Sequence, residues 1–394
     1  MSTLKTINVI HPSSAVNNIV NDASGNVAVG NNLTVAGTST VTGTLAMGSS
    51  FKRNRIINGN MLIDQRNAGA SVSTTAVTTT FFVDRWFANP TQTGKFTVQQ
   101  NAGSVTPPTG FSYYLGAVST SAYAVTAADY FYVSQSIEGY NFSDLGFGTA
   151  SAKTITVSFV VYSSLTGTFA GSLRNYAGTR SYPFSYSIPV ANTWTTISVT
   201  IPGDTSGTWV GSTNAGSAIL FFSLGTGSTF SGTSGAWAAA NYVSATGAVS
   251  VVGTSGATFY ITGVQLEVGT KATPYEMQIY SDQLAQCQRY YWKTFNIGTV
   301  PASNQGTAGS IFGSSSVVNI SFSLSVCFPV PMRTTPTMSY YSPNQTGSSW
   351  GEQSGYVPTL VQLDANEKVI SLRATTAVAP GGAHSIQMTA SAEL

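Results

Sequence analysis

The sequence predicts an all-β protein, and three observations carry that expectation. Only 8% of the 394 residues are charged, against ~25% in ordinary soluble domains. Gly, Ser, Thr and Asn take over the polar role. Aromatic residues are abundant, with 20 Phe, 19 Tyr and 6 Trp, and aromatic and β-branched residues suit the pleated surface of a strand, as Gly, Asn and Pro suit tight turns. Finally, short alternating apolar runs recur between turn signals over most of the chain.

Taken in order, residues 1–26 are weakly patterned and read as an extended segment that orders against a partner. Residues 27–50 repeat with period six, as VAVGNN, LTVAGT, STVTGT and LAMGSS. Val29, Val35, Val41 and Met47 share one phase. Within a hexad the apolar positions lie two apart, the spacing of one strand face. So short an array cannot bury that face alone. Identical chains winding together would bury it, and threefold symmetry suits a thin shaft. Residues 1–50 therefore read as an attachment segment and an intertwined trimeric β shaft. A Thr/Gly-rich linker is the alternative.

Residues 51–270 open on a charge cluster, Lys52, Arg53, Arg55, Asp64 and Arg66, around the turn signal Asn58-Gly59. Eight or more strands follow. Ile155, Val157, Phe159 and Val161 alternate in one, and Ile197, Val199 and Ile201 in another. This spacing predicts a β-sandwich of jelly-roll type. Residues 271–292 read as a short helical joint, with Thr273-Pro274-Tyr275-Glu276 as a capping box. Residues 293–394 read as a C-terminal β-sandwich tip. Its clearest strand has Val318, Ile320, Phe322, Leu324, Val326 and Phe328 on one face.

Composition also narrows the function. A net charge of +2 without a basic stripe lacks the footprint of nucleic-acid binding. No apolar run reaches the length of a membrane span, so membrane insertion is not expected. The first residues hold no continuous apolar stretch, so no signal peptide is expected. The two cysteines, Cys287 and Cys327, read as buried free thiols, with a bridge between them as the alternative.

Enzyme signatures are sparse. His11 and His384 lie in unrelated segments, and no zinc or phosphate-loop motif is present. Asp129, Glu138 and Asp144 form the best local carboxylate cluster, but paired-carboxylate hydrolysis leaves little trace in sequence. No enzymatic activity and no cofactor are expected. Asp84, Glu267 and the Asn58–Asn60 turn could supply oxygen ligands to a structural calcium.

Binding is the better-supported class. Aromatic rings stack on sugar faces while small polar side chains exchange hydrogen bonds with hydroxyls. Tyr340, Tyr341, Trp350 and Tyr356 lie in one loop-like stretch rich in Ser, Asn, Gln and Gly, and Trp209 and Trp237 lie in similar surroundings. These six are the glycan-contact candidates. Trp86 and Trp194, beside strands, are expected in the core.

Four blocks also resemble a known family. They are NRIINGNMLIDQRNAG at 54–69, VDRW at 83–86, GVQLEVGTKATPYE at 263–276 and LAQCQRYYWK at 284–293. As a set they are similar to a jelly-roll domain, like carbohydrate-binding modules, in tail fibres of tailed bacteriophages. CFPVPMRTTPTM at 327–338 is similar to the tip domains that follow it. The resemblance implies a homotrimeric virion tail fibre, assembled in the host cytoplasm and joined by its N-terminus to a tail or baseplate protein. It implies recognition of a host polysaccharide or lipopolysaccharide by the distal β domains. It carries over no catalytic residue. A tailspike-like polysaccharide-degrading enzyme is the alternative.

Overall fold

The computed structural model describes residues 8–9, 19–21, 27–29, 52–75, 77–352, 355–379 and 381–394. Contacts divide the chain into two units, Met1–Gly48 and Ser49–Leu394. In the first, strands Asn8–Val9, Ile19–Asn21 and Val27–Val29 form an antiparallel meander. Val9 pairs with Ile19, and Ile19 with Val29. So the weakly patterned N-terminus contributes two strands, where a segment awaiting a partner is expected. The hexads beyond Val29, and with them the shaft, lie outside the described residues.

In the second unit the chain shuttles between two six-stranded antiparallel sheets. The first sheet runs, in spatial order, Thr195–Ile201, Ile155–Ser163, Thr258–Val268, Leu115–Ser119, Phe96–Gln100 and Val72–Ser73. The second runs Ser181–Ile188, Gly167–Asn175, Gly216–Thr226, Tyr130–Glu138, Phe87–Ala88 and Thr80–Phe81. Alternation decides which side of each strand is buried. Ile155, Val157, Phe159 and Val161 are at most 1% exposed, and they meet Phe169, Leu173, Phe184, Leu220 and Phe222 of the other sheet in one core. Phe159 sits edge-on to Phe222 at 4.9 Å between ring centroids. The expected β-sandwich is present.

The turn at Asn58-Gly59 anchors the sandwich entrance. A Cβ on Gly59 would lie 2.1 Å from the Val264 carbonyl oxygen, so only glycine lets the turn dock on that strand. Asn58 is buried, and its amide donates to the carbonyls of Ile63 and Asp84 and accepts from the Ile63 N–H.

The helix covers Tyr280–Gln288, much less than the expected 271–292. No side chain caps it. The expected capping box does not form because its polar groups have stronger partners. Thr273 donates its N–H and hydroxyl to Glu267 at 2.8 and 2.7 Å, and the Glu276 carboxylate accepts from the backbone of Lys52 and Asn54.

Beyond the helix, Ala383–Ser391 pairs with Tyr291–Lys293, Ile311–Ser314 and Thr337–Tyr341. A second sheet joins Phe322–Cys327, Val369–Thr375 and Thr359–Ala365. Both contribute to a separate core containing Trp350, Ile370, Leu372, Ile386 and Met388. The expected long strand starts only at Phe322; Val318 and Ile320 precede it and are exposed. Cys287 is buried and Cys327 exposed, both as free thiols, so the expectation of two buried thiols holds for Cys287 alone.

Candidate functional site

Each outer face of the sandwich carries a satellite cluster with aromatic members. On the second sheet, Phe87, Tyr132, Ile219 and Phe221 are covered and pack with Val243 into a satellite cluster. On the first sheet, Tyr114 and Tyr260 are buried with Ala102 in a second cluster, and half-buried Tyr162 and Trp194 pack at its edge. Along Ile155–Ser163 the outward positions are Ser158, Val160 and Tyr162. Tyr162 pairs in register with Tyr260, and Val160 with Thr196. The Tyr162 and Tyr260 rings stack at 5.3 Å and 5°. Tyr260 stacks in turn on Tyr114 at 5.1 Å. Trp194 packs against both Tyr114 and Tyr162 at 5.3 Å. Its Nε1 donates to the Thr106 carbonyl at 2.9 Å. The indole is thus held from two sides, and the loop after it in space, 105–111, is tied down with it. Burial raises the Tyr114 and Tyr260 phenols above their ordinary range.

That loop forms a wall. Thr106, Pro107, Pro108, Thr109 and Phe111 face Trp194, Val160 and Thr196 across a groove of about 640 Å³. Gly263, at φ +62°, permits the wall to close. A Cβ there would sit 2.6 Å from the Phe111 ring. Gly263 lies where the register slips between Ser158 and Val160, a bulge that re-aims neighbouring residues. Three exposed threonines line the groove and no ionisable side chain does. Aromatic and proline rings beside free hydroxyls suit a neutral, hydroxylated ligand.

Trp194, expected in the core, is half-buried and packs against the satellite cluster of the outer face instead of the main core. Trp86 is fully buried, as expected. The six candidates are placed otherwise. Trp350 is 0% exposed and lies edge-on to Phe322 inside the second core. This overturns its reading as a glycan contact, because a ring without accessible surface cannot stack on a sugar. Tyr340, Tyr341 and Tyr356 are half-buried. Tyr340 donates to Gln362 at 2.6 Å, and Tyr341 packs edge-on against Phe295. Trp209 and Trp237 come together, perpendicular at 5.7 Å. Phe142 stacks on Trp209, and Phe147 and Tyr182 pack on the pair. Both indole N–H groups are used, one by Asp204 and one by the Pro202 carbonyl. Arg180 clamps Asp204 with two bonds. This cluster closes one part of the sandwich core, and both indoles remain partly exposed.

The carboxylates are spent on structure. Asp129 holds Thr91, Tyr123 and Thr126; Glu138 holds Arg289 and Tyr290; Asp144 pairs with Arg55. For the calcium expectation, Asp84 accepts from Gln65, Glu267 from Thr273, and Asn58 serves its own turn. Among the described residues no three His, Cys, Asp or Glu side chains gather as metal ligands would. Among them, too, no helix is long and apolar enough to cross a membrane.

Comparison with known proteins places the chain only loosely. No family model and no curated protein matches it. Solved structures do. The enzymatically active domain of tailspike protein 4 of bacteriophage CBA120 aligns at 17% identity and a TM-score of 0.30, over 55% of this chain and 21% of that one. This chain thus spans about a fifth of that structure. TmCBM61, solved with β-1,4-galactotriose, aligns at 11% identity and TM-score 0.28 over 55% of this chain and 100% of its own. A putative sugar binding protein of Bacteroides thetaiotaomicron VPI-5482 aligns at 12% and 0.30, over 55% and 100%.

Proposed function

We propose that this chain is a glycan-recognising protein of a virion tail fibre, and that the Trp194 groove holds a neutral sugar. One observation supports the site above all. Trp194 is fixed by Tyr114, Tyr162 and the Thr106 carbonyl beside a groove lined by threonine hydroxyls and free of charge. A pyranose offers an apolar face to the indole and hydroxyls to Thr106, Thr109 and Thr196. Pockets of this size commonly hold small ligands through apolar walls and a few polar groups. The phage assignment rests on the four sequence blocks described above, as does attachment through residues 1–50.

The reading is of a binding protein without enzymatic activity. Glycoside cleavage needs two carboxyl groups about 5–9.5 Å apart, and no carboxylate lines the groove. A single site that gains little apolar burial binds weakly. A homotrimer, with several fibres per particle, gains strength through effective concentration. Calorimetry with a panel of neutral oligosaccharides tests the site. Trp194→Ala should abolish binding while the fold, read by circular dichroism, persists. Unchanged binding in the folded variant would refute the site.

A further inference from the structure

A second cavity, of about 300 Å³, lies where the chain enters the sandwich, between residues 52–57, the end of strand Tyr130–Glu138 and the helix. Its chemistry is the opposite of the groove's. Lys52, Arg55 and Arg289 line it against a single carboxylate, Glu138. That carboxylate is 1% exposed and saturated. Arg289 donates to it twice, at 2.5 and 3.0 Å, and the Tyr290 hydroxyl once, at 2.5 Å. Glu138 therefore fixes Arg289 and has little left to repel an anion. Arg55 pairs with Asp144, which is half exposed and outside the lining. The Arg55 Nε is buried without a partner.

The Lys52 ammonium makes no hydrogen bond among the described residues; only its backbone N–H is engaged, by Glu276. The amides of Gln278 and Gln286, which also line the cavity, are likewise unbonded there. Tyr140, 57% exposed, presents its ring beside them. We infer that this cavity binds a small polyol carrying an anionic group, a carboxylate or a phosphate. Lys52 and the guanidinium groups take the anion, Gln278 and Gln286 the hydroxyls, and Tyr140 the apolar face. Charge-assisted hydrogen bonds favour the anion over a neutral analogue. The site stands apart from the Trp194 groove and does not depend on that groove being occupied.

The test titrates the full chain with glucuronate, glucose 6-phosphate, glucose and inorganic phosphate, followed by calorimetry and NMR. Glucuronate or glucose 6-phosphate should bind at least about tenfold tighter than glucose, and more weakly as salt rises. Which acid binds better identifies the anion class. Lys52→Ala and Gln286→Ala, neither of which breaks a bond of the fold, should each weaken the acid about tenfold or more. Trp194→Ala should leave it unchanged, so loss of neutral-glycan binding there and loss of acid binding at Lys52 are separate results. Glucose binding as well as both glucuronate and glucose 6-phosphate, or Lys52→Ala binding like the parent, would overturn the anion site. Inorganic phosphate matching glucose 6-phosphate would overturn the polyol assignment.

Discussion

Arg85 and Glu393, 308 residues apart in sequence, form a buried ion pair. Arg85 is 2% exposed, lies 3.6 Å over the Tyr290 ring and donates to the Ser136 carbonyl. Glu393 also accepts from Arg66 at 2.8 Å, and its backbone carbonyl accepts from Arg333. Arg85 comes from the sandwich block VDRW, Tyr290 from the segment after the helix, and Glu393 from the chain's last residues. The pair therefore fastens the second core to the first.

Glu393→Ala should destabilise the fold by about 3–5 kcal/mol, because it leaves Arg85 charged and buried without its partner. Arg66→Ala should cost less, since Glu393 would keep Arg85. Urea unfolding of the two variants checks the order. Equal stability of Glu393→Ala and the parent would show that the pair fastens nothing.

The same region sets a pH response. Burial pushes the Asp84 carboxyl up from 3.8 to about 6, against the pull of Arg66 and the bonds from Gln65. The folded state thus holds this proton more tightly than the unfolded one. Its contribution is full below the unfolded value and lost as pH rises through about 6. Burial lowers the Lys293 ammonium from 10.5 to about 8. That contribution is present above 10.5 and lost as pH falls through about 8. Together they place a minimum between about pH 6 and 8. Asp84→Asn should remove the acid limb. Its stability relative to the parent should rise by on the order of 3 kcal/mol from below the unfolded value to above the folded one. Urea midpoints of both proteins across that range decide it; parallel curves would refute the assignment.

The two cysteines predict a labelling pattern. Cys287 is fully buried, and desolvation pushes its thiol well above the ordinary range. The thiolate is the reactive form, so Cys287 should resist a maleimide in the native protein. Exposed Cys327 should react. One label native and two in denaturant is the expected mass; two native labels would contradict the packing of the helix.

Much of the fold was legible in the sequence because alternation reports burial directly. Ile155, Val157, Phe159 and Val161 point inward as their spacing demands. Local hydrogen-bonding rules were less reliable. Thr273 and Glu276 have the spacing of a capping box, yet Glu267 and the backbone at Lys52 and Asn54 hold them instead. Lys52 and Asn54 lie 224 and 222 residues from Glu276, and Glu267 lies on the preceding strand outside the capping-box spacing, so the local pattern does not reveal them. The candidate sites were hidden for the same reason. The Trp194 groove joins residues 106–111, 160 and 194–196, and the charged cavity joins four separate segments. Trp194 was recognisable as an aromatic residue opening a strand, but its side of the sheet depends on register. The exposed, unengaged threonines beside it had no signal of their own.

Trp350 shows how loop composition misleads, and it supplies a contrast for the binding experiments. It sits among Ser and Gly like a paratope aromatic, yet it fills the second core with Phe322 against one ring and 0% exposure. Its Nε1 is buried without a partner, so its contribution is packing. Trp350→Ala should cost about 3–5 kcal/mol through the cavity it leaves. Trp350→Phe should cost less, because it keeps most of the volume and deletes the unpaired N–H. Neither should change the affinity of folded protein for neutral glycans, whereas Trp194→Ala should abolish it without a comparable loss of stability. Unfolding curves and calorimetry on all three variants separate the roles. Glycan binding lost in a stably folded Trp350→Phe would return the site to the tip.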